Sequence, residues 1–264
     1  MAIWGKLVGT AAGFAMGGVI GALLGAVAGH AFDQWRAEGQ ERRRLGRGQA
    51  EGRIGLDPIE MRRVAFATAV IVLAAKLAKV DGVVRPDEIR AFKRIFKIGD
   101  EDVGDVAAIY NEAKRDPAGF EPFAMQIANL FRNEPAVLEE LLIGLFEVAR
   151  ADGALDQREL RFLAAVAAIF GFRPAEFEAI RARFQASSER PPSTAEVDPY
   201  AVLGLTRAAS DEEVRAAWKR LVKEHHPDRL TARGMPPEFV EKATRTLAGI
   251  NAAYDRIAQE RGLR

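Results

Sequence analysis

Hydrophobic positions along the chain follow two kinds of pattern. No residue from Leu7 to Gly29 is ionisable, and as a helix these 23 positions would span roughly 34 Å, enough to cross the apolar core of a bilayer. From about residue 58 to 184, and again from 198 onwards, apolar residues recur at spacings of three and four, as in amphipathic helices. The chain is therefore predicted to be all-α, with a transmembrane anchor at residues 1–35 and helical domains at 57–185 and 198–264.

The borders of the apolar run support a membrane anchor. Trp4 and Lys6 lie at one end and Trp35 and Arg36 at the other, and such amphipathic side chains are typical of membrane interfaces. Ala26-Val27-Ala28 resembles a signal-peptidase site, but basic residues in the following linker (36–56) oppose export: Arg42, Arg43, Arg44 and Arg47. We expect a single-pass protein in contact with lipid of the cell inner membrane, with most of the chain in the cytoplasm.

Glycines recur at every fourth position through the predicted anchor, from Gly5 to Gly29. In lipid, such a row allows two helix backbones to approach closely, as in GxxxG pairs. A step of four residues turns the helix by about 400°, so only three or four successive glycines share a face. The pattern predicts a homodimer in which the two helices cross at Gly13, Gly17, Gly21 and Gly25.

Composition excludes several classes of function. The formal net charge is +1, so bulk charge does not indicate nucleic-acid binding. The absence of cysteine excludes disulfides, thiol catalysis and thiolate metal sites. The sequence also contains no glycine-rich phosphate loop and no cluster of catalytic carboxylates. We therefore predict a protein that is not an enzyme and needs no cofactor.

An internal repeat lies in the middle domain. Asp81-Gly82 with Glu88 is echoed 71 residues later by Asp152-Gly153 with Glu159. The spacing matches the second half of an EF-hand loop, but the expected upstream ligand positions hold Leu77, Lys79, Val148 and Arg150, which excludes that calcium site.

The repeated Asp-Gly hairpins resemble the TerB-like family, a compact all-α fold. In that family the acidic residues at these turns have been linked to metal binding, which would implicate Asp81, Glu88, Asp152 and Glu159 here. The alternative is that these carboxylates cap turns and helix ends, and we favour it because a turn requires nothing more. We therefore assign no metal site.

The C-terminal segment begins after a proline-containing, polar stretch at 186–197, which is predicted to be a flexible linker. Asp198 and Pro199 are typical of a helix start, and Gly204 of a helix end. Ser210 and Glu213 form a capping-box pattern that opens a second helix reaching about His225. A long final helix carries apolar residues at Leu247, Ile250, Tyr254 and Ile257.

The second helix of this segment has one apolar and one basic face. At 100° per residue, four cations share the face beside the apolar one: Arg215, Lys219, Arg220 and Lys223. His225 falls on the apolar face, so we expect it to pack and not to join His226 and Asp228 in a metal site. Pro227 ends the helix, so His226 and Asp228 are predicted to project into solvent.

The tripeptide His226-Pro227-Asp228, together with YAVLGL before it and LAGINAAYDRI after it, resembles the J domain of DnaJ-type co-chaperones. The resemblance implies an antiparallel helical hairpin that binds the ATPase domain of a DnaK-type chaperone through this loop and the basic helix. One departure is Glu224, where many J domains carry lysine, although Lys223 is adjacent.

The order of anchor, TerB-like domain and terminal J domain resembles the DjlA group of J-domain proteins. It implies a membrane-bound co-chaperone in stress response that recruits a DnaK-type partner and stimulates its ATPase. The alternative is a membrane scaffold, or a sensor of envelope stress or metal, that acts through the TerB-like domain.

Overall fold

The computed structural model describes residues 58–80, 93, 98, 103–115, 119–150, 155–187 and 197–263. These ranges contain helices and no strand, so the all-α prediction is confirmed for the described chain. The helices are α1 (Pro58–Val80), α2 (Val103–Arg115), α3 (Glu121–Leu130), α4 (Pro135–Arg150), α5 (Gln157–Ile169), α6 (Pro174–Ala186), α7 (Pro199–Leu203), α8 (Asp211–Glu224), α9 (Pro227–Ala232) and α10 (Pro237–Arg261).

The chain divides into two compact units, with the boundary between Gln126 and Ile127. In the first unit, α1 is buried from Val64 to Leu77 and packs against α2. None of the helices within the described ranges combines the length and apolar character needed to cross a bilayer. The predicted anchor and its glycine row, Gly13, Gly17, Gly21 and Gly25, lie outside those ranges.

In the second unit, α4 is apolar on almost every side and is correspondingly buried along most of its length. It packs against α6 through a group of aromatic rings. Phe146 of α4 stacks on Phe177 and Phe184 of α6, with ring centroids 5.7 and 5.2 Å apart. Phe184 also lies beneath the guanidinium of Arg150, at 4.8 Å from the ring centroid. These two helices pack next to the C-terminal helices.

The C-terminal helices begin and end where the sequence predicts. The Asp198 carboxylate accepts a hydrogen bond from the backbone N–H of Tyr200, and Gly204 ends α7 with φ = 73°, in the left-handed region that favours glycine. Helices α8 and α10 then form a hairpin, in which the Trp218 and Tyr254 rings stack at 4.3 Å. The Trp218 indole N–H donates to Asn251 Oδ1 at 2.9 Å, which sets the register of the hairpin.

Helix α6 also packs against the C-terminal helices α7 and α10. Ala182 of α6 belongs to the same buried apolar cluster as Leu203, Leu221 and Ile250. Gly249 of α10 faces the end of α6 so closely that a Cβ added there would lie 3.4 Å from the Ala186 Cβ. The segment before and the segment after the predicted linker thus share one core.

The structure differs from the sequence prediction immediately after the His-Pro-Asp tripeptide. We expected a loop there, whereas Pro227 opens the short helix α9. His226 is its N-cap and accepts from the backbone N–H of Asp228 through Nδ1, at 3.3 Å. Proline suits the first position of a helix because its φ is already helical and its missing N–H would have no partner there.

The predicted capping box of α8 is present. Ser210 Oγ accepts from the backbone N–H of Glu213 at 3.2 Å, and the Glu213 carboxylate accepts from the backbone N–H of Ser210 at 2.7 Å. Replacing Ser210 with alanine should lower the free energy of unfolding by about 1 kcal/mol, since an orphan N–H loses its acceptor. Urea unfolding of the full chain in detergent measures the change. Ser210→Asp should restore the stability, and equal stability of Ser210→Ala and the wild type would contradict the role of the cap.

Candidate functional site: the exposed corner between α8 and α9

The tripeptide at the junction of α8 and α9 is held by its own hydrogen bonds and presents the side chains of His226 and Asp228 to solvent. The side chain of His226 is 52% exposed and that of Asp228 is 93% exposed. The two lie near each other, with 3.8 Å between His226 Nδ1 and Asp228 Oδ2. Thr231 Oγ1 donates to the Pro227 carbonyl at 3.0 Å, which fixes the first turn of α9. The result is a rigid corner with an imidazole and a carboxylate on its surface.

The four cations predicted on α8 do not have equal surroundings. Lys219 and Lys223 are exposed on the side of the helix that leads to the corner, and Arg215 is half-buried. Arg220 forms an ion pair with Glu224 one turn along, with 3.2 Å between Nη1 and Oε2. Glu224 therefore neutralises part of the charge of Arg220, and Lys219 and Lys223 are the exposed cations of α8 that line the approach to His226.

A shallow groove of about 440 Å³ runs along this face of α8 to the corner. Trp218 and Val222 form its apolar part, and its other lining residues are polar or charged: Lys219, Lys223, His226, Asp228 and Arg229. An apolar floor with a charged border is the arrangement by which a surface binds a protein segment that carries both apolar and acidic side chains.

Directly before the corner, His225 is completely buried and contacts helix α4. Its Nδ1 lies 3.0 Å from Glu140 Oε1 and its Nε2 lies 3.5 Å from Glu139 Oε1. Arg183 of α6 completes the group, with Nε donating to Glu139 Oε1 at 2.5 Å and Nη1 to the Val202 carbonyl at 2.8 Å. We call these four residues the buried charge cluster: Glu139, Glu140, Arg183 and His225.

The cluster favours charged forms of two of its members. Burial alone raises the pKa of Glu139, but Arg183 and His225 outweigh that effect and lower this pKa to about 2. Burial alone lowers the pKa of His225, but the negative charge of Glu139 and the hydrogen bond to Glu140 raise it to about 9. Burial also raises the pKa of Glu140, against the opposing hydrogen bond to His225.

Three family models match the chain in sequence order. Residues 1–50 match the Co-chaperone DjlA transmembrane domain, residues 67–182 match Tellurite resistance protein TerB, and residues 198–261 match the DnaJ domain. The chain is 35% identical to a Co-chaperone protein DjlA from Shewanella oneidensis over the full length of both chains. The chain belongs to the DjlA co-chaperone family.

Further DjlA relatives agree with this assignment. The DjlA of Photobacterium profundum is 31% identical, with 99% of this chain and all of the relative covered. The DjlA of Coxiella burnetii is also 31% identical, with 98% of each chain covered. No solved structure matches the chain. The predicted order of transmembrane, TerB-like and J domains is confirmed for this DjlA-family co-chaperone.

Of the acidic residues considered as metal ligands in this DjlA-family chain, only Glu159 is described. Its carboxylate accepts from the backbone N–H of Asp156 at 2.8 Å, and Asp156 Oδ1 accepts from the N–H of Glu159 at the same distance. Glu159 is thus part of a capping box at the start of α5. Asp81, Glu88 and Asp152 lie outside the described ranges. Within those ranges, no three His, Asp or Glu side chains are grouped as a metal would require.

Sequence reasoning placed His225 on the packed face of α8 but missed its partners. The signal was present in α4, where Glu139 and Glu140 lie within a run of apolar residues. Charged residues rarely occupy fully buried positions without a partner of opposite charge. Those two glutamates therefore indicated that cations from elsewhere in the DjlA-family chain would contact α4.

Proposed function

We propose that this co-chaperone binds the ATPase domain of a DnaK-type chaperone through the corner His226-Pro227-Asp228 and the basic face of α8, and so stimulates its partner's ATPase. The observation that carries the proposal is the exposure of His226 and Asp228 beside Lys219 and Lys223, while the neighbouring His225 is fully buried. A structural histidine would be expected to pack, as His225 does.

Each part of the surface has a physical role in the proposal. The two lysines attract an acidic partner surface and raise the rate of encounter, an effect that salt weakens. The groove at Trp218 and Val222 accepts an apolar side chain of the partner, and the rigid corner sets the orientation of the complex. Stimulation is then a coupling between two sites of the partner, because binding favours its hydrolysis-competent state. His226 performs no chemistry in this scheme.

The remaining parts of the chain determine where the activity operates. The match of residues 1–50 to a transmembrane domain supports a membrane anchor. We place that anchor in the cell inner membrane, with the TerB-like and J domains in the cytoplasm, because basic residues follow the apolar run. The glycine row supports a homodimer through Gly13, Gly17, Gly21 and Gly25, which would present two J domains to the chaperone pool.

Substitution of His226 by glutamine tests the proposal. We expect stimulation of a purified DnaK-type ATPase to fall at least about tenfold, equivalent to 1.4 kcal/mol of lost coupling. The full chain is assayed in detergent micelles over a range of concentrations. Glu212→Gln, at the exposed far end of α8, is the matched control and should stimulate normally. Full stimulation by His226→Gln would contradict the role of the corner, and no stimulation by the wild type would contradict the function itself.

A further inference from the structure

The contact between the J domain and helices α4 and α6 has the properties of a fixed interface. Its apolar part is a shared core in which Ala182 lies among J-domain residues and Ala186 faces Gly249 at van der Waals distance. Its polar part is the buried charge cluster, in which His225 of the J domain lies against Glu139 and Glu140 of α4. Arg183 of α6 pairs with Glu139, and all four side chains are buried. A third connection lies about two turns before Gly249 on α10, where the Lys242 ammonium pairs with the Glu147 carboxylate.

The cluster acts at the residue next to the functional corner. His225 is the C-cap of α8, and its backbone N–H donates to the Leu221 carbonyl at 2.9 Å. Because both ring nitrogens of His225 face carboxylates of α4, the end of α8 is fixed against a surface outside the J hairpin. His226 follows directly, so the direction in which the corner projects depends on that attachment.

We infer that Glu139, Glu140 and Arg183 position the His226-Pro227-Asp228 corner through His225, so that the TerB-like domain sets how efficiently the J domain engages its partner. This inference rests on the proposed function. The contact positions the corner and does not mask it, since His226, Asp228, Lys219 and Lys223 are exposed while His225 is fully buried. The three residues are positioning residues that act without touching the partner.

The first test is Glu140→Gln in the full chain. The substitution keeps the shape of the side chain and replaces the carboxyl group that pairs with His225 Nδ1 by an amide, so the corner samples other orientations. A partner that binds only one orientation then shows weaker apparent binding in proportion to the lost population. We expect the co-chaperone concentration for half-maximal ATPase stimulation to rise about fivefold, with the same maximum. Glu178→Gln, in an exposed ion pair with Arg181 on α6, is the control and should leave both values unchanged.

The second test separates positioning from general damage. Ala186→Cys combined with Gly249→Cys would join α6 to α10, because the 3.4 Å Cβ separation is close to that of natural disulfides. The wild-type chain has no cysteine, so this is the only disulfide that one chain can form. In the Glu140→Gln background, oxidation should restore the wild-type half-maximal concentration, and reduction should raise it again. As a control, the ATPase of the DnaK-type chaperone alone is assayed with and without reductant, which shows any effect of the reductant on the partner itself.

The outcomes distinguish the two proposals. Restoration by the disulfide in Glu140→Gln supports positioning by the TerB-like domain. A wild-type half-maximal concentration in the reduced Glu140→Gln variant would overturn this inference. A disulfide that forms but does not restore the wild-type half-maximal concentration would overturn it as well. If the wild type itself never stimulates the ATPase, the proposed function fails. Disulfide formation and hydrogen exchange of the α8 amides then still report whether the J domain is attached to α6.

Discussion

Replacing Arg183 with methionine is expected to lower the free energy of unfolding of residues 127–264 by about 3–5 kcal/mol. Arg183 is 6% exposed and holds both the Glu139 carboxylate and the Val202 carbonyl. Without the guanidinium, Glu139 is left buried with only His225 to compensate its charge, and the carbonyl loses its donor. The cost is large because a buried charge without its partner cannot recover the hydration lost on folding.

Two further variants make the Arg183 prediction specific. Arg181→Met, on the same helix, removes the exposed pair with Glu178 and should cost less than about 1 kcal/mol. The double variant Glu139→Met with Arg183→Met removes both charges and should recover most of the lost stability, since well-packed apolar side chains replace buried pairs at little cost. Urea unfolding of the full chain in detergent, followed by hydrogen exchange of peptides from α4 and α8, measures all three. A loss in the free energy of unfolding below about 1 kcal/mol for Arg183→Met would contradict the prediction, because it is the loss expected when an exposed ion pair is removed.

Raising the pH from about 6.5 to 9 should weaken the attachment of the J domain to α4. The pKa of His225 is about 9 when folded and 6.5 when unfolded, so its contribution is fully present below 6.5 and is lost as the pH rises through 9. The raised pKa of Glu140 acts with the same sign. The loss in free energy of unfolding should be about 3 kcal/mol at most over this range.

The groups that face His225 determine this pH dependence: Glu139 and Glu140 from α4, Arg183 through Glu139 from α6, and the Thr246 hydroxyl on Glu140 from α10. Glu139 acts at the other extreme, because its pKa of about 2 gives stability above pH 4.5 that is lost as the pH falls toward 2. The alkaline pH range tests His225 more specifically than the acidic range tests Glu139. Acidic pH titrates 37 acidic residues, whereas the chain has only three histidines and no cysteine.

Unfolding measured at pH 6.5, 7.5 and 9 checks the prediction. His225→Gln should remove most of the dependence, and His226→Gln, the neighbouring histidine on the surface, should keep it. If the free energy of unfolding of His225→Gln falls with rising pH as steeply as that of the wild type, another group is responsible for the dependence.

Much of the C-terminal fold could be predicted because its signals are local. Asp198, Gly204 and the Ser210–Glu213 pair each act within a few residues of the backbone groups that they satisfy, and all lie where expected. The short helix α9 was missed because a proline after a helix indicates an end, although here it also begins the next helix. His226 serves as N-cap through its ring nitrogen, a role more often taken by Ser, Asp or Asn.

The candidate site was only partly predictable. The periodicity of α8 placed Lys219 and Lys223 on one face and His225 on the other, since both follow from 100° per residue. The same count predicted that Arg220 and Lys219 contribute equally to the basic face, whereas Arg220 forms an ion pair with Glu224. Which cations are available to a partner depends on side-chain pairing, which residue spacing alone does not determine.

The amino-acid sequence by itself determined the class of structure, the bounds of α7 and α8, and the identity and exposure of the His-Pro-Asp tripeptide, because these depend on backbone sterics and on interactions within one or two helical turns. Only the tertiary structure decided that the J domain shares a core with α6 and that His225 lies between two carboxylates of α4. Those contacts join residues 85 and 86 positions apart (140 with 225, 139 with 225), and they depend on which buried faces meet. Helical periodicity identifies a face that must be buried, but the partner of that face is chosen by packing and charge compensation across the whole unit.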